Sequence, residues 1–217
     1  MLAKTRGIVI RYIKYRETSI IINIYTETFG MQSYIVNNIR SVKSTPALFQ
    51  PLSLLELEVY YRKTSEINRL SNWKTSEHLN SIYLDIKKAT MALFISEVLY
   101  RSIKELEPHD GLFEFLYHSI QIFDSMERGY ENFHLQFLIK LVKYVGFGIH
   151  GDQNLGIPGF DSDDFKKLLE STYDSKVILS NENRGRLLDG IILYYQEHVD
   201  GFGTLKSLKV LREVFSF

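Results

Sequence analysis

The spacing of apolar residues changes once along the chain, near residue 76. Before that point, β-branched and aromatic residues come in short runs: Ile8, Val9, Ile10 and Ile13, then Ile20, Ile21, Ile22, Ile24 and Tyr25. Side chains branched at Cβ suit a pleated backbone, so these runs predict strands over 7–13 and 19–26. Glu27, Thr28, Phe29 and Gly30 form a turn signal, with Gly30 supplying a positive φ, and 31–36 reads as the returning strand of a hairpin. A polar connection over 41–46 leads to alternating Leu, Val and Tyr over 52–61, and 67–73 completes a set of five. Five short strands are enough to close a small barrel, for which the oligonucleotide-binding (OB) fold is the natural candidate.

After Ser76 the period becomes three to four. Leu79, Ile82, Ile86, Leu93 and Val98 predict one long amphipathic helix ending before Pro108. Asp110 is placed to cap a second helix carrying Leu112, Phe115, Leu116, Ile120 and Phe123, and a third carries Phe133, Phe137, Leu138, Leu141 and Val145. Five glycines and Pro158 within 146–159 make that stretch a loop, with helices resuming near Ser162. Leu188, Ile191, Ile192, Tyr195 and Val199 mark a further helix, and Leu205, Leu208, Leu211 and Phe215 a last one starting at Gly203 and Thr204. The expected class is α+β: a five-stranded OB-fold barrel over 1–76, then an all-helical domain over 77–217.

Charge sharpens this division. The net charge is zero, but residues 1–75 hold 11 Lys or Arg against 5 Asp or Glu, leaving 15 against 21 in the remainder. The barrel is therefore basic and the helical part acidic. The cations are Lys4, Arg6, Arg11, Lys14, Arg16, Arg40, Lys43, Arg62, Lys63, Arg69 and Lys74. They are interleaved with Tyr12, Tyr15, Tyr25, Phe29, Tyr34, Tyr60, Tyr61 and Trp73. Single-stranded nucleic acid calls for cations to meet phosphates and aromatic faces to meet bases, so the eleven cations are candidate nucleic-acid contacts. Tyr34, Tyr60, Tyr61 and Trp73 are candidate stacking platforms. Alternation allows only one of Tyr60 and Tyr61 to point outward, and Trp73 serves equally to pack the barrel on the first long helix. The bland reading of the cations is a solvated face.

Other chemistry finds little support. There are no cysteines, which excludes disulfides and thiolate chemistry. The stretch Gly146-Phe147-Gly148-Ile149-His150-Gly151 has the glycine spacing of a dinucleotide fingerprint, but it follows a helix instead of a strand and reads as a helix stop. Asp161, Asp163 and Asp164 suit a helix start better than a cation loop. His78, His109, His118, His134, His150 and His198 show no metal-ligand spacing and read as surface or satisfied interior residues. No nucleophile elbow or phosphate loop is present, so neither an enzyme nor a cofactor or metal is expected. Charges at Lys4, Arg6, Arg11, Lys14 and Arg16 interrupt any leader-like run, and no apolar run approaches the ~20 residues of a membrane span, so a cytoplasmic protein is expected.

Arg6-Gly-Ile-Val-Ile-Arg, Tyr15-Arg-Glu-Thr-Ser and Tyr25-Thr-Glu-Thr-Phe-Gly resemble, in order and spacing, the opening of the RecO family of bacterial DNA repair proteins. Ser41-Val-Lys-Ser, Phe49-Gln-Pro-Leu and the tail Leu205-Lys-Ser-Leu-Lys-Val-Leu extend the resemblance over nearly the whole chain. It implies an OB-fold barrel and a helical domain, a nucleoid-associated role in recombinational repair, and binding of single- and double-stranded DNA. It further implies annealing of complementary strands. With RecR, such a protein loads the recombinase on DNA coated by single-stranded-DNA-binding protein. The acidic tail of that last protein would meet Lys206, Lys209 and Arg212 on the final helix, whose other reading is a solvated face. Many family members carry a four-cysteine zinc site where this chain has its 146–159 loop, so no zinc is expected here. The competing readings are an OB-fold protein acting on RNA and a protein-interaction adaptor that binds no nucleic acid.

Overall fold

A computed structural model describes residues 1–37, 47–103, 108–109, 111–147 and 163–217. Arg40, Lys43, the 41–46 connection, Asp110, Asp161, Ser162 and positions 148–159, including His150, lie outside these residues. Five strands close a barrel in the order β1-β2-β3-β5-β4, the strand order expected of an OB-fold. They are β1 (Leu2–Arg16), β2 (Ser19–Thr26), β3 (Gly30–Val36), β4 (Leu54–Tyr60) and β5 (Asn68–Glu77). All pairings are antiparallel except β3 with β5.

Following paired residues once around the barrel shows how it closes. Ile13 faces Ile21, Ile21 faces Ile35, Ile35 faces Arg69, Arg69 faces Tyr60 and Tyr60 faces Leu2, eleven residues before the start on β1. That stagger is the shear a closed, tilted sheet requires, and it explains why β1 is long: its first half pairs with β4 and its second with β2. The interior holds Val9, Ile20, Ile22, Ile24, Tyr34, Val36, Leu55, Leu57, Val59 and Leu70, with Phe29 and Phe49 closing it. At Gly7 the strands approach so closely that a Cβ would fall 2.6 Å from Leu57 Cδ1 and 2.7 Å from Ile24 Cγ2. Gly30 adopts φ 64°, as its turn position demands.

Two barrel features depart from the sequence reading. Strand β4 starts at Leu54, because Leu52 turns through φ 69° while its amide donates to Val9 O at 2.7 Å. The Ser53 carbonyl accepts from the Val9 amide at 2.9 Å beside an irregularity in β1 between Val9 and Arg11, so tertiary pairing sets this corner. The second departure is a segment outside the strands: the chain divides into two compact units, 1–80 with 103–120 and 81–102 with 121–217. Residues 103–120 thus group with the barrel, unlike the contiguous division at 76. Within that unit, Tyr25 stacks on Phe113 with ring centroids 6.4 Å apart, and Ser76 Oγ lies 3.1 Å from Tyr117 Oη.

The helices are α1 (Ser81–Leu84), α2 (Ile86–Ser102), α3 (Leu112–Ser125), α4 (Phe133–Leu141), α5 (Asp163–Glu170), α6 (Asn181–His198) and α7 (Ser207–Phe215). The single long helix expected after Ser76 is instead α1 and α2. Asp85 breaks it: its Oδ1 accepts from the amides of Lys87 and Lys88 and caps α2. Ile86 and Leu93 face solvent, the buried stripe being Met91, Phe94, Ile95, Val98 and Leu99. Helix α7 begins at Ser207, not at Gly203, because its cap comes from another helix. The Glu97 carboxylate on α2 accepts from the amides of Lys206 and Ser207 at 3.0 and 2.8 Å and from Ser207 Oγ at 2.5 Å.

The core of this unit is aromatic, with Phe133 stacked between Phe123 at 4.3 Å and Tyr173 at 4.6 Å. Lys88, buried, donates to Ser81 Oγ and to the carbonyls of Phe123, Asp124 and Met126, which end α3. His134 is buried yet neither ring nitrogen has a hydrogen-bond partner among the described residues. It is therefore neither a surface nor a satisfied interior histidine, and its burial lowers its pKa to about 3. Asp163 and Asp164 occupy the first turn of α5, where the helix dipole favours them.

Candidate nucleic-acid interface

Alternation along β2 decides what the barrel shows to its surroundings. Ile20, Ile22 and Ile24 point into the core, so Ile21, Asn23 and Tyr25 point outward. Asn23 is the centre of a polar relay across three strands. Arg11 Nε donates to Asn23 Oδ1 at 2.9 Å, and Asn23 Nδ2 donates to Ser33 Oγ at 2.8 Å. The neighbouring row is Ile13, Ile21 and Ile35, continued by Arg69 and Tyr60. Beyond the barrel rim, β1 and β2 run on to a tip carrying Lys14, Tyr15 and Arg16, where Arg16 Cζ sits 5.2 Å from the Tyr15 ring centroid.

The expected DNA contacts fall into distinct groups. Lys4 pairs with Glu58 at 3.5 Å and Lys74 with Glu56 at 2.8 Å, both across the register to β4. Arg6 is more heavily engaged: it donates to both Glu27 carboxylate oxygens at 2.9 and 2.7 Å, pairs with Glu114, and lies over the rings of Phe113 and Tyr117. The two carboxylates hold the guanidinium charged, and the hydrogen bond from Arg6 holds Glu27 below its ordinary pKa. By contrast, Lys14, Arg16, Arg62 and Arg69 are exposed and form no ion pair among the described residues. Arg11 is half-buried on the relay, and exposed Lys63 stands at the edge of a cleft.

The stacking candidates also separate. Tyr34 is wholly buried in the barrel core, 0% exposed, and is corrected from a base platform to a core residue. Tyr60 is 48% exposed on the outward row. Tyr61 stacks on Phe29 with centroids 4.0 Å apart and planes at 17°, and Trp73 packs on Phe49 at 5.3 Å. Asn23, Gln32 and Ser33 escape a search for cations and aromatics. The single Asn inside Ile20-Ile-Ile-Asn-Ile is the signal that marks an outward phase.

At the start of α7 and along it, the three partner candidates do not share one role. Lys206 and Lys209 are exposed, the latter 4.0 Å from Glu213, whereas Arg212 is paired with Asp189 of α6. Among the described residues no His, Asp or Glu cluster gathers three side chains fit for a metal, and no helix is long and apolar enough to cross a membrane.

Known protein families also divide the chain in two, but into contiguous parts. The family described as Recombination protein O N terminal matches residues 1–78, and that described as Recombination protein O C terminal matches residues 83–156. A DNA repair protein RecO of Flavobacterium psychrophilum is 35% identical across the whole of both chains. That of Bacteroides fragilis is 35% identical over 99% of this chain and 100% of its own. That of Christiangramia forsetii is 30% identical over the same shares. With a matching barrel, matching helical part and full-length relatives, the chain belongs to the RecO family of DNA repair proteins.

Proposed function

We propose that this protein binds single- and double-stranded DNA on the outward face of its barrel and anneals complementary strands. In this reading it works with RecR to load the recombinase on DNA coated by single-stranded-DNA-binding protein, in the cytoplasm at the nucleoid. The observation that carries the DNA part is the split among cations: Lys14, Arg16, Arg62 and Arg69 are exposed and without ion pairs among the described residues, beside Tyr60 and the Arg11–Asn23–Ser33 relay. Distributed cations neutralise phosphates without reading sequence, which is what bringing two like-charged strands together requires. No bond is made or broken in such a task, so the protein acts as a mediator and not an enzyme. Family membership supports the partners, and exposed Lys206 and Lys209 support contact with an acidic tail.

The test is anisotropy of a labelled single strand titrated with the protein at several salt concentrations, followed by addition of the complement. Salt-sensitive binding with faster annealing is the expected result. Absence of binding at low salt would favour the adaptor reading, and preference for a matched RNA strand would favour the RNA one.

A further inference from the structure

Between the β2–β3 turn and the β4–β5 loop the barrel carries a cleft of about 470 Å³, lined by Thr28, Phe29, Gln32, Ser33, Tyr61 and Lys63 among others. That volume lies within the range of small-ligand sites. One wall is an aromatic pair: Phe29 is buried and fixes the plane of Tyr61, stacked on it at 4.0 Å, while Tyr61 is only half-buried and lines the cleft. Gln32 is committed, donating to Phe29 O at 2.7 Å and accepting from Asn68 at 3.4 Å. Ser33 differs. Its Oγ accepts from Asn23, which leaves its own hydroxyl proton directed by nothing else among the described residues. Lys63 brings a cation to the same cleft. Ser33 both lines the cleft and ends the relay that starts at Arg11, so the cleft adjoins the proposed interface.

The geometry points to this cleft as a pocket for one unpaired nucleobase of a bound single strand, stacked on Tyr61, with Ser33 donating to a base carbonyl and Lys63 near its phosphate. The inference rests on the DNA-binding reading above and adds a subsite to it. A base held in a duplex is stacked and paired, so the pocket selects single strands.

The test compares a labelled oligothymidylate with a strand of equal length whose central sites are abasic, in low salt, for the wild-type protein, Tyr61→Leu and Thr28→Trp. Thr28 is an exposed turn residue whose enlargement fills the cleft and leaves the Phe29 contact intact. The wild type is expected to bind the base-containing strand roughly fivefold or more tightly, the effect of one base–aromatic stack. Both variants should lose that ratio while binding the abasic strand as the wild type does. Equal binding of the two strands by the wild type, or a ratio unchanged in Thr28→Trp, overturns the pocket but not DNA binding. If neither strand binds at low salt, the DNA-binding reading itself fails and the pocket falls with it.

Discussion

Arg6 and Glu27 are joined twice: the guanidinium grips both carboxylate oxygens at 2.9 and 2.7 Å, and the Glu27 amide donates to the Arg6 carbonyl at 3.1 Å. This ties β1 to the β2–β3 turn. The same guanidinium lies 4.9 Å from the Phe113 ring centroid and 5.0 Å from that of Tyr117, so Arg6 also anchors the start of α3 to the barrel. Arg6→Ala should therefore cost stability, roughly 1–2 kcal/mol for one bidentate pair and its ring contacts. Urea unfolding of the two proteins checks this. Glu27 is held below its ordinary 4.5 by Arg6, so its contribution is present above pH 4.5 and lost as pH falls through the lower, folded value. The variant should show a shallower loss of stability below pH 4.5 than the wild type.

DNA affinity should separate the cations by their partners. Lys14→Ala, Arg16→Ala and Arg69→Ala remove exposed charges that have no ion pair among the described residues, and each should weaken binding and lower the salt slope by about 1. Lys4→Ala and Lys74→Ala remove charges already balanced by Glu58 and Glu56, and should change the slope less. Titrations at four or more salt concentrations give these slopes directly. Equal effects from both groups would show that the paired cations leave their carboxylates to meet phosphate.

Tyr34 makes the opposite point. Thr26 Oγ1 beside it already donates to Gly30 O at 3.0 Å and accepts from the Phe29 amide at 3.1 Å. The buried Tyr34 hydroxyl makes no hydrogen bond of good geometry among the described residues, its contact with Thr26 only partly offsetting the rise in pKa that burial causes. Tyr34→Phe removes that unsatisfied group at almost constant shape, so stability should hold or rise by up to about 1 kcal/mol. DNA affinity should stay unchanged, as a base platform at this position would not allow if its hydroxyl took part. Thermal unfolding and anisotropy on one preparation answer both.

These residues show what the sequence reveals and what it conceals. Strand β2 is readable to its ends because Ile20, Ile22 and Ile24 alternate with a polar Asn23. In β3 the buried phase is Gln32, Tyr34 and Val36 while Ser33 and Ile35 are half-exposed, so polarity does not mark the inward face and Tyr34 is misplaced. Which cations pair is set by strand register, as with Lys4 opposite Glu58, and register follows from closure of the whole barrel. The Asp85 cap is a local signal that periodicity alone passes over, whereas the bend at Leu52 depends on Val9 from another strand. The cleft joins Ser33 to Tyr61 and Lys63, neighbours only after β3 and β5 pair in parallel.

His134 should make the helical unit sensitive to moderate acid. Its ring stacks parallel to Phe217, meets Phe94 edge-on, and faces the cationic Arg184, with no acceptor among the described residues to stabilise an added proton. Folded, it titrates near 3 against an ordinary 6.5, so the unfolded chain binds the proton first. Stability is complete above pH 6.5 and should fall by up to about 1.4 kcal/mol per pH unit within that window. His134→Leu should flatten the profile from pH 6.5 down to about 3, and the change between pH 6.5 and 4.5 is clear of the Glu27 limb, which begins below 4.5. Chemical denaturation across that range, followed by far-ultraviolet circular dichroism, measures both slopes.

Glu97 links the fold of α7 to the partner surface it presents. Its carboxylate caps the amides of Lys206 and Ser207, and these hydrogen bonds overcome burial and hold it below the ordinary carboxylate pKa. Glu97→Ala removes an N-terminal cap and should cost about 1–2 kcal/mol. It leaves Lys206 and Lys209 in place, so charge alone would predict no loss of an acidic peptide. If the peptide reads those cations as an ordered pair at the start of α7, affinity should fall several-fold with the cap removed, though no charge it touches has changed. Isothermal titration of an acidic, apolar-ended peptide into wild type, Glu97→Ala and Lys206→Ala/Lys209→Ala separates the outcomes. Loss in the double variant alone would make α7 a passive carrier of charge, and loss in both would make its cap part of the recognition.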